Sequence, residues 1–350
     1  MPGNMTRTSV ERLAAAALAL LVLAGCASVP AGLLSVDRME YSQVLSASWK
    51  RQTLLNVVRL RNADAPVFLE VASIVNSYSV QSRGSAGANL FAHSDPDELS
   101  MGIDHTWSNS PTVTYQPLTG ERFIASMLGP VPLPAVVQLL QSGWPVDLVM
   151  PAVVGAVNGV RSEGPGMVED GRFRELVEVL SRLQRAGGLM FFVEGVKSMM
   201  RIAGGGDPRL AADARRAREL LGLAQDASDF EVVYGLIPHN RKQVAIVNRS
   251  MLEILLRLGG GIELPETERG RVIPLLKPVA EPQTLGLARI RSGPKAPEDA
   301  YASVRYKGNW YWIDDADVPS KRIFTFVMIL FSLAETMPNP GSPVLTVPAR

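Results

Sequence analysis

The sequence predicts an α+β protein, in which helices are mixed with mainly antiparallel strands and a C-terminal hairpin is followed by a buried helix. Apolar residues recur with a helical period over residues 171–186, and charged residues fill the other positions. Short apolar runs that end at glycine or turn residues, such as residues 189–196, are typical of strands. Two aromatic-rich runs flank the turn Lys307, Gly308 and Asn309, which predicts the hairpin.

The first part of the chain that follows the N-terminal segment is predicted to form a helix and then strands. Apolar residues alternate in blocks with Ser, Gln, Lys and Arg over residues 37–61, which indicates a helix that Pro66 and its neighbours stop. Residues 67–81 are rich in β-branched and aromatic types and predict a strand. The remaining predictions here are a turn at 82–87, a polar irregular stretch at 89–109 and a strand at 112–115.

The middle of the chain alternates helical and strand patterns. The sequence predicts helices at 121–128 and 133–141, separated by prolines. Residues 146–160 form a mainly apolar run between turn residues, which predicts a strand buried on both faces. Asp207 and Pro208 are a good cap and first residue for the next helix. Further elements are predicted as paired strands at 230–237 and 243–247, a helix at 251–258 capped by Ser250, and short strands near 272–276 and 285–291.

The C-terminal pattern predicts a hairpin and then a helix. The hairpin consists of strands 301–306 and 310–313, and the helix covers residues 321–335. The apolar run inside this helix is shorter than the ~20 residues that span a bilayer, so it is expected to be buried in protein. The whole chain is therefore divided into segments of different character. These are a signal peptide at 1–25, a lipidated tether at 26–36, an α+β body at 37–264, a proline-rich linker or surface excursion at 265–299, and the hairpin and helix at 300–350 packed on the body.

Charge and cysteine content narrow the class of protein. The chain has 35 Lys and Arg against 34 Asp and Glu, and loss of Arg7, Arg12 and Glu11 with the N-terminal segment leaves the two signs balanced. A balanced body argues against nucleic acid as a partner, because phosphate binding normally needs a basic excess. Cys26 is the only cysteine, so no disulfide or cysteine-ligated metal is expected, and the sequence indicates no cofactor.

The N-terminal segment carries the most specific motif. Arg7 and Arg12 precede an apolar run that closes on Leu23, Ala24, Gly25 and Cys26, which is the order of a signal peptide and its cleavage site. These last four residues resemble the lipobox of bacterial lipoproteins. The resemblance implies lipid transfer to the Cys26 sulfur, cleavage between Gly25 and Cys26, and acylation of the new amino terminus.

This resemblance also implies a cellular location. Several acyl chains anchor a protein firmly, so the partner of Cys26 would be a lipid bilayer. Ala27 follows the cysteine where an aspartate would resemble an inner-membrane retention signal in Gram-negative bacteria. The resemblance therefore implies a lipid-anchored protein of the outer membrane that faces the periplasm.

Two groups of residues are candidate sites in the body. His93, Asp95, Asp97 and His105 lie in a polar stretch, and imidazole with carboxylate suits zinc or manganese, although a solvated acidic loop explains the same residues. Trp310 and Trp312 share one face of their strand, since side chains alternate along a strand. Such a pair can stack on sugar rings, for example of peptidoglycan, or contact a protein; packing against the following helix is the alternative.

The body also resembles a set of proteobacterial envelope lipoproteins of unknown activity, through residues 54–61, 66–71, 310–313 and 320–322. No nucleophile motif is present in the sequence. Three functions follow as hypotheses. The first is a non-enzymatic, membrane-anchored binding or assembly component of the envelope, with an envelope protein or glycan as partner. The others are a metal-dependent envelope hydrolase that uses the His93–His105 region and a glycan-binding module that uses Trp310 and Trp312.

Overall fold

The computed structural model describes residues 31–89, 98–163, 170–264, 287–334 and 345–348. The fold class is α+β, as predicted, with mostly antiparallel strands and the C-terminal hairpin and helix in place. The chain divides into two units, Met1–Arg51 and Gln52–Arg350. All contacts and sites presented below lie in the second unit.

Most of the helices follow the predicted patterns. The helix predicted at 37–61 begins earlier, at Ala31, and so includes part of the predicted tether. Asp207 and Ser250 cap their helices, since Arg209 N donates to Asp207 Oδ1 at 2.8 Å and Glu253 N donates to Ser250 Oγ at 3.2 Å. The helices are α1 (Ala31–Arg61), α2 (Gly120–Phe123, continued by a π-helix at Ile124–Leu128), α3 (Leu133–Gln141), α4 (Val146–Val153), α5 (Gly171–Arg185), α6 (Pro208–Leu221), α7 (Met251–Gly260) and α8 (Val318–Ala334).

The strands form three sheets. A six-stranded sheet has the order β4-β3-β8-β7-β6-β5, and two three-stranded sheets have the orders β1-β2-β12 and β10-β11-β9. The strands are β1 (Leu69–Asn89), β2 (Glu98–Pro117), β3 (Val154–Val157), β4 (Val160–Arg161), β5 (Leu189–Glu194), β6 (Lys197–Ile202), β7 (Asp229–Tyr234), β8 (Gln243–Asn248), β9 (Arg291–Gly293), β10 (Ala302–Tyr306), β11 (Asn309–Ile313) and β12 (Leu345–Pro348).

The core of the second unit is built from the apolar faces of its helices and of the six-stranded sheet. Helix α5 buries the face that its period predicts, and its charged residues point outward. The C-terminal helix α8 is joined to the rest of the core by aromatic pairs, with ring centroids 5.0 Å apart for both Phe68 with Phe331 and Trp144 with Phe326. Burial of such rings is worth more than their area alone, by about 0.5–1.5 kcal/mol for each pair.

One predicted strand is wrong. Residues 146–160 form helix α4 followed by the short strands β3 and β4. A continuous apolar run does not distinguish a buried helix from a buried strand, and α4 is buried on nearly every side. Pro151 lies inside the run and is disfavoured in a central strand, so it argued against one continuous strand over these residues.

The prediction for residues 82–109 is also wrong in part. The described residues form the continuous antiparallel pair β1 and β2, whose register runs from Leu69 opposite Pro117 to Asn89 opposite Glu98. Backbone pairing needs no apolar side chains, so the polar composition concealed the pairing. Residues 90–97 lie outside the described part of the chain.

The sheets add three details that the patterns did not contain. Strand β6 was not predicted, and it pairs with both β5 and β7. The strands predicted at 230–237 and 243–247 do pair, as β7 and β8, but they run parallel. The strand predicted near 285–291 appears as β9, shifted toward the carboxyl end, and residues 272–276 lie outside the described residues.

Candidate functional site

The predicted lipid and metal residues fall largely outside the part of the chain that the structure describes. Gly25, Cys26, His93, Asp95 and Asp97 lie outside it. The backbone of His105 lies in β2, opposite Ser82, while its side chain is outside the described set. Within the described residues, no group of His, Cys, Asp and Glu is arranged to hold a metal ion. The metal site therefore stays a prediction.

The predicted tryptophan pair lies on the three-stranded sheet β10-β11-β9. Strand β11 turns Tyr311 and Ile313 into the core, where both have 0% exposure. Trp310 and Trp312 occupy the alternate positions and are half-buried on the opposite face. The core contacts of this strand are thus supplied by Tyr311 and Ile313, and the tryptophans line the outer face, which we call the tryptophan face.

The register of the sheet fixes the neighbours of each tryptophan. Trp312 lies between Ser303 on β10 and Arg291 on β9. Trp310 lies in the next row of the same face, between Arg305 and Gly293. Aromatic rings on this face are therefore flanked by a hydroxyl and two guanidinium groups, which are hydrogen-bond donors.

Gly293 makes room for the six-membered ring of the Trp312 indole. A Cβ atom on Gly293 would lie 3.3 Å from Cη2 and 3.5 Å from Cζ3 of Trp312. The indole ring therefore extends diagonally across the glycine to the neighbouring strand. A side chain at position 293 would displace the ring, so the glycine defines how the tryptophan lies on the sheet.

The indole N–H of Trp312 points inward. Its Nε1 atom is buried and has no hydrogen-bond partner in the described structure. The exposed area of Trp312 therefore belongs to its carbon and backbone atoms. The contact left to Trp312 is therefore stacking through ring carbons, for example against the C–H face of a sugar ring, rather than hydrogen bonding through the indole nitrogen.

Ion pairs lie beside the tryptophan face. Arg291 and Asp314 are 3.3 Å apart, and Arg289 and Glu263 are 3.0 Å apart. Three of the four side chains are well exposed to water and Asp314 is partly exposed, so each pair contributes only about 0–1 kcal/mol to stability. Their polar atoms are therefore free to exchange water for hydroxyl groups of a ligand at little energetic expense. The sequence did not single out Arg291, which was the last residue of a predicted strand, or Gly293, which lies beyond the end of that strand.

An exposed apolar cluster lies at one end of the six-stranded sheet. Strand β6 is antiparallel to both β5 and β7, so the β5–β6 turn and the carboxyl end of β7 lie at the same end. Val196 in this turn is 100% exposed, and the strand ends and the following loop add more exposed apolar side chains. The cluster consists of Val193, Val196, Tyr234, Leu236 and Ile237. Contiguous exposed apolar residues often mark an interaction surface.

The described part of the second unit therefore offers two surfaces suited to binding, the tryptophan face and the apolar cluster at the sheet end. Stacking on the tryptophan face and apolar contact at the sheet end need no proton transfer. Among the described residues, no helix is long and apolar enough to cross a membrane. Comparison of the chain with protein-family models, with curated proteins and with solved structures gives no match.

Proposed function

We propose that this protein is a lipid-anchored lipoprotein of the Gram-negative envelope that faces the periplasm and acts as a binding or assembly component. The observation that carries the proposal is the sequence Leu23, Ala24, Gly25 and Cys26 after a basic and then apolar segment. The acyl chains on Cys26 hold the body at the membrane surface. The apolar cluster at the sheet end supports a role in contacting another protein.

Lipid attachment is tested by labelling growing cells with a radioactive fatty acid and separating the two membranes. The wild-type protein is expected to carry label and to fractionate with the outer membrane, while Cys26→Ala carries none and is not processed at this site. Ala27→Asp is the matched control, because it keeps the lipid and is expected to move the protein to the inner membrane. Label on Cys26→Ala, or its normal outer-membrane location, would contradict the proposal.

A second candidate function is glycan binding on the tryptophan face. The observation that favours it is the placement of Trp310 and Trp312 away from the core, beside Ser303 and Arg291. Rings that stack on sugar faces, together with nearby donors for hydroxyl groups, provide the two kinds of contact that a glycan needs. Peptidoglycan is the glycan within reach of a protein anchored in this way.

Binding to purified peptidoglycan sacculi tests this function. Trp310→Ala and Trp312→Ala are each expected to weaken co-sedimentation roughly tenfold, in line with about 1.5 kcal/mol for one lost aromatic contact. Trp312→Phe should retain part of the binding, because it keeps a ring. Tyr234→Ala, an exposed aromatic at the apolar cluster, is the control and should bind as wild type. Unchanged sedimentation of folded tryptophan variants would exclude glycan binding by this face.

A further inference from the structure

A concave site lies at the carboxyl end of helix α6, on the side of the molecule where β8 begins. The cleft has a volume of about 580 Å³. Its lining includes the three guanidinium groups of Arg215, Arg218 and Arg241 and a single carboxylate, Glu219. We call it the arginine cleft. Its volume lies within the range of about 300–1,000 Å³ that small-molecule sites occupy.

The fold brings these arginines together from two segments. Arg215 and Arg218 are three residues apart on α6 and so lie on the same side of the helix. Gly222, with φ of 65°, ends the helix in the left-handed conformation and lets the chain turn back. A hydrogen bond holds the Arg241 side chain at this turn, because its Nη2 donates to Leu223 O at 3.2 Å. The backbone reinforces the same junction, since Ala224 N donates to Arg241 O at 2.9 Å.

The arginine cleft differs from the surrounding surface in how its charges are paired. Two nearby arginines outside it have carboxylate partners, with distances of 2.7 Å for Arg182 to Asp213 and 2.6 Å for Arg216 to Glu175. In the described structure, no carboxylate pairs with Arg215, Arg218 or Arg241. Glu219 is directed to Arg216 Nη1, at 3.3 Å. The cleft thus carries three positive charges against one carboxylate, and that carboxylate is paired with Arg216, which does not line the cleft.

Two hydrogen bonds to backbone carbonyl groups fix the guanidinium of Arg218. Its Nε donates to Ala227 O at 2.9 Å and its Nη2 donates to Ile202 O at 2.8 Å. These two carbonyl groups fix the plane of the guanidinium at the wall of the cleft. Burial disfavours the charged form and lowers the pKa of Arg218, although the group stays protonated at neutral pH. A partly desolvated cation of fixed orientation interacts more strongly with an anion than a mobile surface arginine does.

We propose that the arginine cleft binds the phosphate group of an anionic ligand. Guanidinium groups present paired donors that match phosphate oxygens, and two exposed arginines beside a fixed one can surround one phosphate. The carboxyl end of α6 carries only about half a negative charge, which three guanidinium groups outweigh. The same chemistry fits the head group of an anionic phospholipid and a soluble phosphate ester.

Titration calorimetry with inorganic phosphate, at constant ionic strength and on the full chain carrying Cys26→Ala, tests the site. The variant Arg215→Gln/Arg241→Gln is expected to lose at least tenfold in phosphate affinity. Arg161→Gln/Arg209→Gln removes the same charge from exposed positions outside the cleft and is expected to keep wild-type affinity. Arg215→Gln alone should lose about threefold to tenfold in affinity. The Arg215 side chain is exposed and makes no hydrogen bond or ion pair within the described structure, so this variant is expected to fold.

Vesicles separate the two sources of phosphate. Phosphatidylcholine vesicles with and without phosphatidylglycerol are floated with the same proteins. A gain from phosphatidylglycerol that the cleft variant loses assigns the site to a lipid head group. Phosphate binding that depends on the cleft without such a gain assigns it to a soluble phosphate ester. No phosphate binding by the wild-type chain, or equal affinity of the cleft variant and the charge-matched control, would overturn the proposal.

Discussion

Asn56 on helix α1 binds the backbone of Val67 in both directions. Asn56 Nδ2 donates to Val67 O at 2.8 Å, and Val67 N donates to Asn56 Oδ1 at 2.9 Å. One turn earlier on the helix, Gln52 makes the same pair of bonds with Leu69, at 3.1 and 3.2 Å. Two side-chain amides therefore take the place of a neighbouring strand at the start of β1, because positions i and i+4 of the helix match positions i and i+2 of the extended chain.

Asn56→Ala is expected to lower the free energy of unfolding by about 1–3 kcal/mol, because it removes two hydrogen bonds to the backbone of Val67. Asn56 is fully buried, so water cannot replace the lost amide. Urea denaturation measures the change. Gln138→Ala removes an exposed amide from helix α3 and should change stability by less than about 0.5 kcal/mol. Equal effects of the two variants would show that the Asn56 bridge contributes nothing.

Arg249 is buried and joins four parts of the fold. Its guanidinium donates to the carbonyl oxygens of Pro151, Val154 and Glu163, and its Nε lies 2.9 Å from Glu253 Oε1. Pro151 O belongs to the last turn of α4, where helix carbonyls lack partners within the helix, and Val154 O belongs to the first residue of β3.

Arg249→Met keeps the apolar length of the side chain but removes these donors. We expect it to lower the free energy of unfolding by about 3–5 kcal/mol, as breaking buried ionic networks does. Arg249→Lys should recover only part of this loss, because one ammonium group cannot reach all the acceptors. Arg305→Met, at an exposed position, is the control in the same urea experiment. A loss below about 1 kcal/mol for Arg249→Met would contradict this role.

The hairpin of β10 and β11 closes through Lys307 and Gly308, which have φ of 45° and 90°. Positive φ at both central residues is the requirement of the type I′ turn. Gly308→Ala should lower the free energy of unfolding by about 1–2 kcal/mol through backbone strain, although a Cβ atom there meets nothing within 4 Å. Thermal denaturation measures this.

Gly171→Ala provides the contrast for that measurement. Gly171 is the first residue of α5, its Cβ position is also open, and its φ is not in the left-handed region. The substitution should leave stability unchanged or raise it by up to about 1 kcal/mol. The two variants together separate conformational strain from steric contact, and equal effects would exclude strain at Gly308.

Asp213 accepts two hydrogen bonds from Arg182, at 2.7 and 3.0 Å, and these hold the pKa of Asp213 below its ordinary value of 3.8. Because the folded pKa is depressed, the stabilisation is complete above the unfolded pKa and is lost as the pH falls through the folded pKa. The pair is partly exposed, so its contribution is only about 0.2–1 kcal/mol.

Arg182→Gln should raise the pKa of Asp213 back toward 3.8 and reduce the loss of stability on acidification. Carbon-detected NMR titration of the Asp213 carboxyl group gives this pKa directly. Arg305→Gln removes one distant positive charge and should leave the titration of Asp213 unchanged. An unchanged Asp213 pKa in Arg182→Gln would show that the hydrogen bonds in the structure do not persist in solution.

Local patterns predicted most helices and the C-terminal hairpin, because helix periodicity, capping residues and turn residues act over a few positions. Helix α5 buries its predicted face, and Asp207 and Ser250 cap their helices as predicted. The tryptophan pair was also predicted to share one face of its strand, and β11 places it so. The arginine cleft was not predicted, because Arg215 and Arg218 on a helix face resemble any solvated surface until Arg241 is brought beside them.

The sequence by itself determined the α+β class, the order of most elements and the lipobox that predicts the anchor at Cys26, since these depend on neighbours along the chain. Only the tertiary structure decided that residues 146–153 are helical and that β7 and β8 run parallel. The physical reason is that burial on all sides erases periodicity, and strand direction is set by which partners complete the backbone hydrogen bonds. Arg249 supplies the clearest case, because its partners at Pro151, Val154 and Glu163 lie about a hundred residues away in sequence.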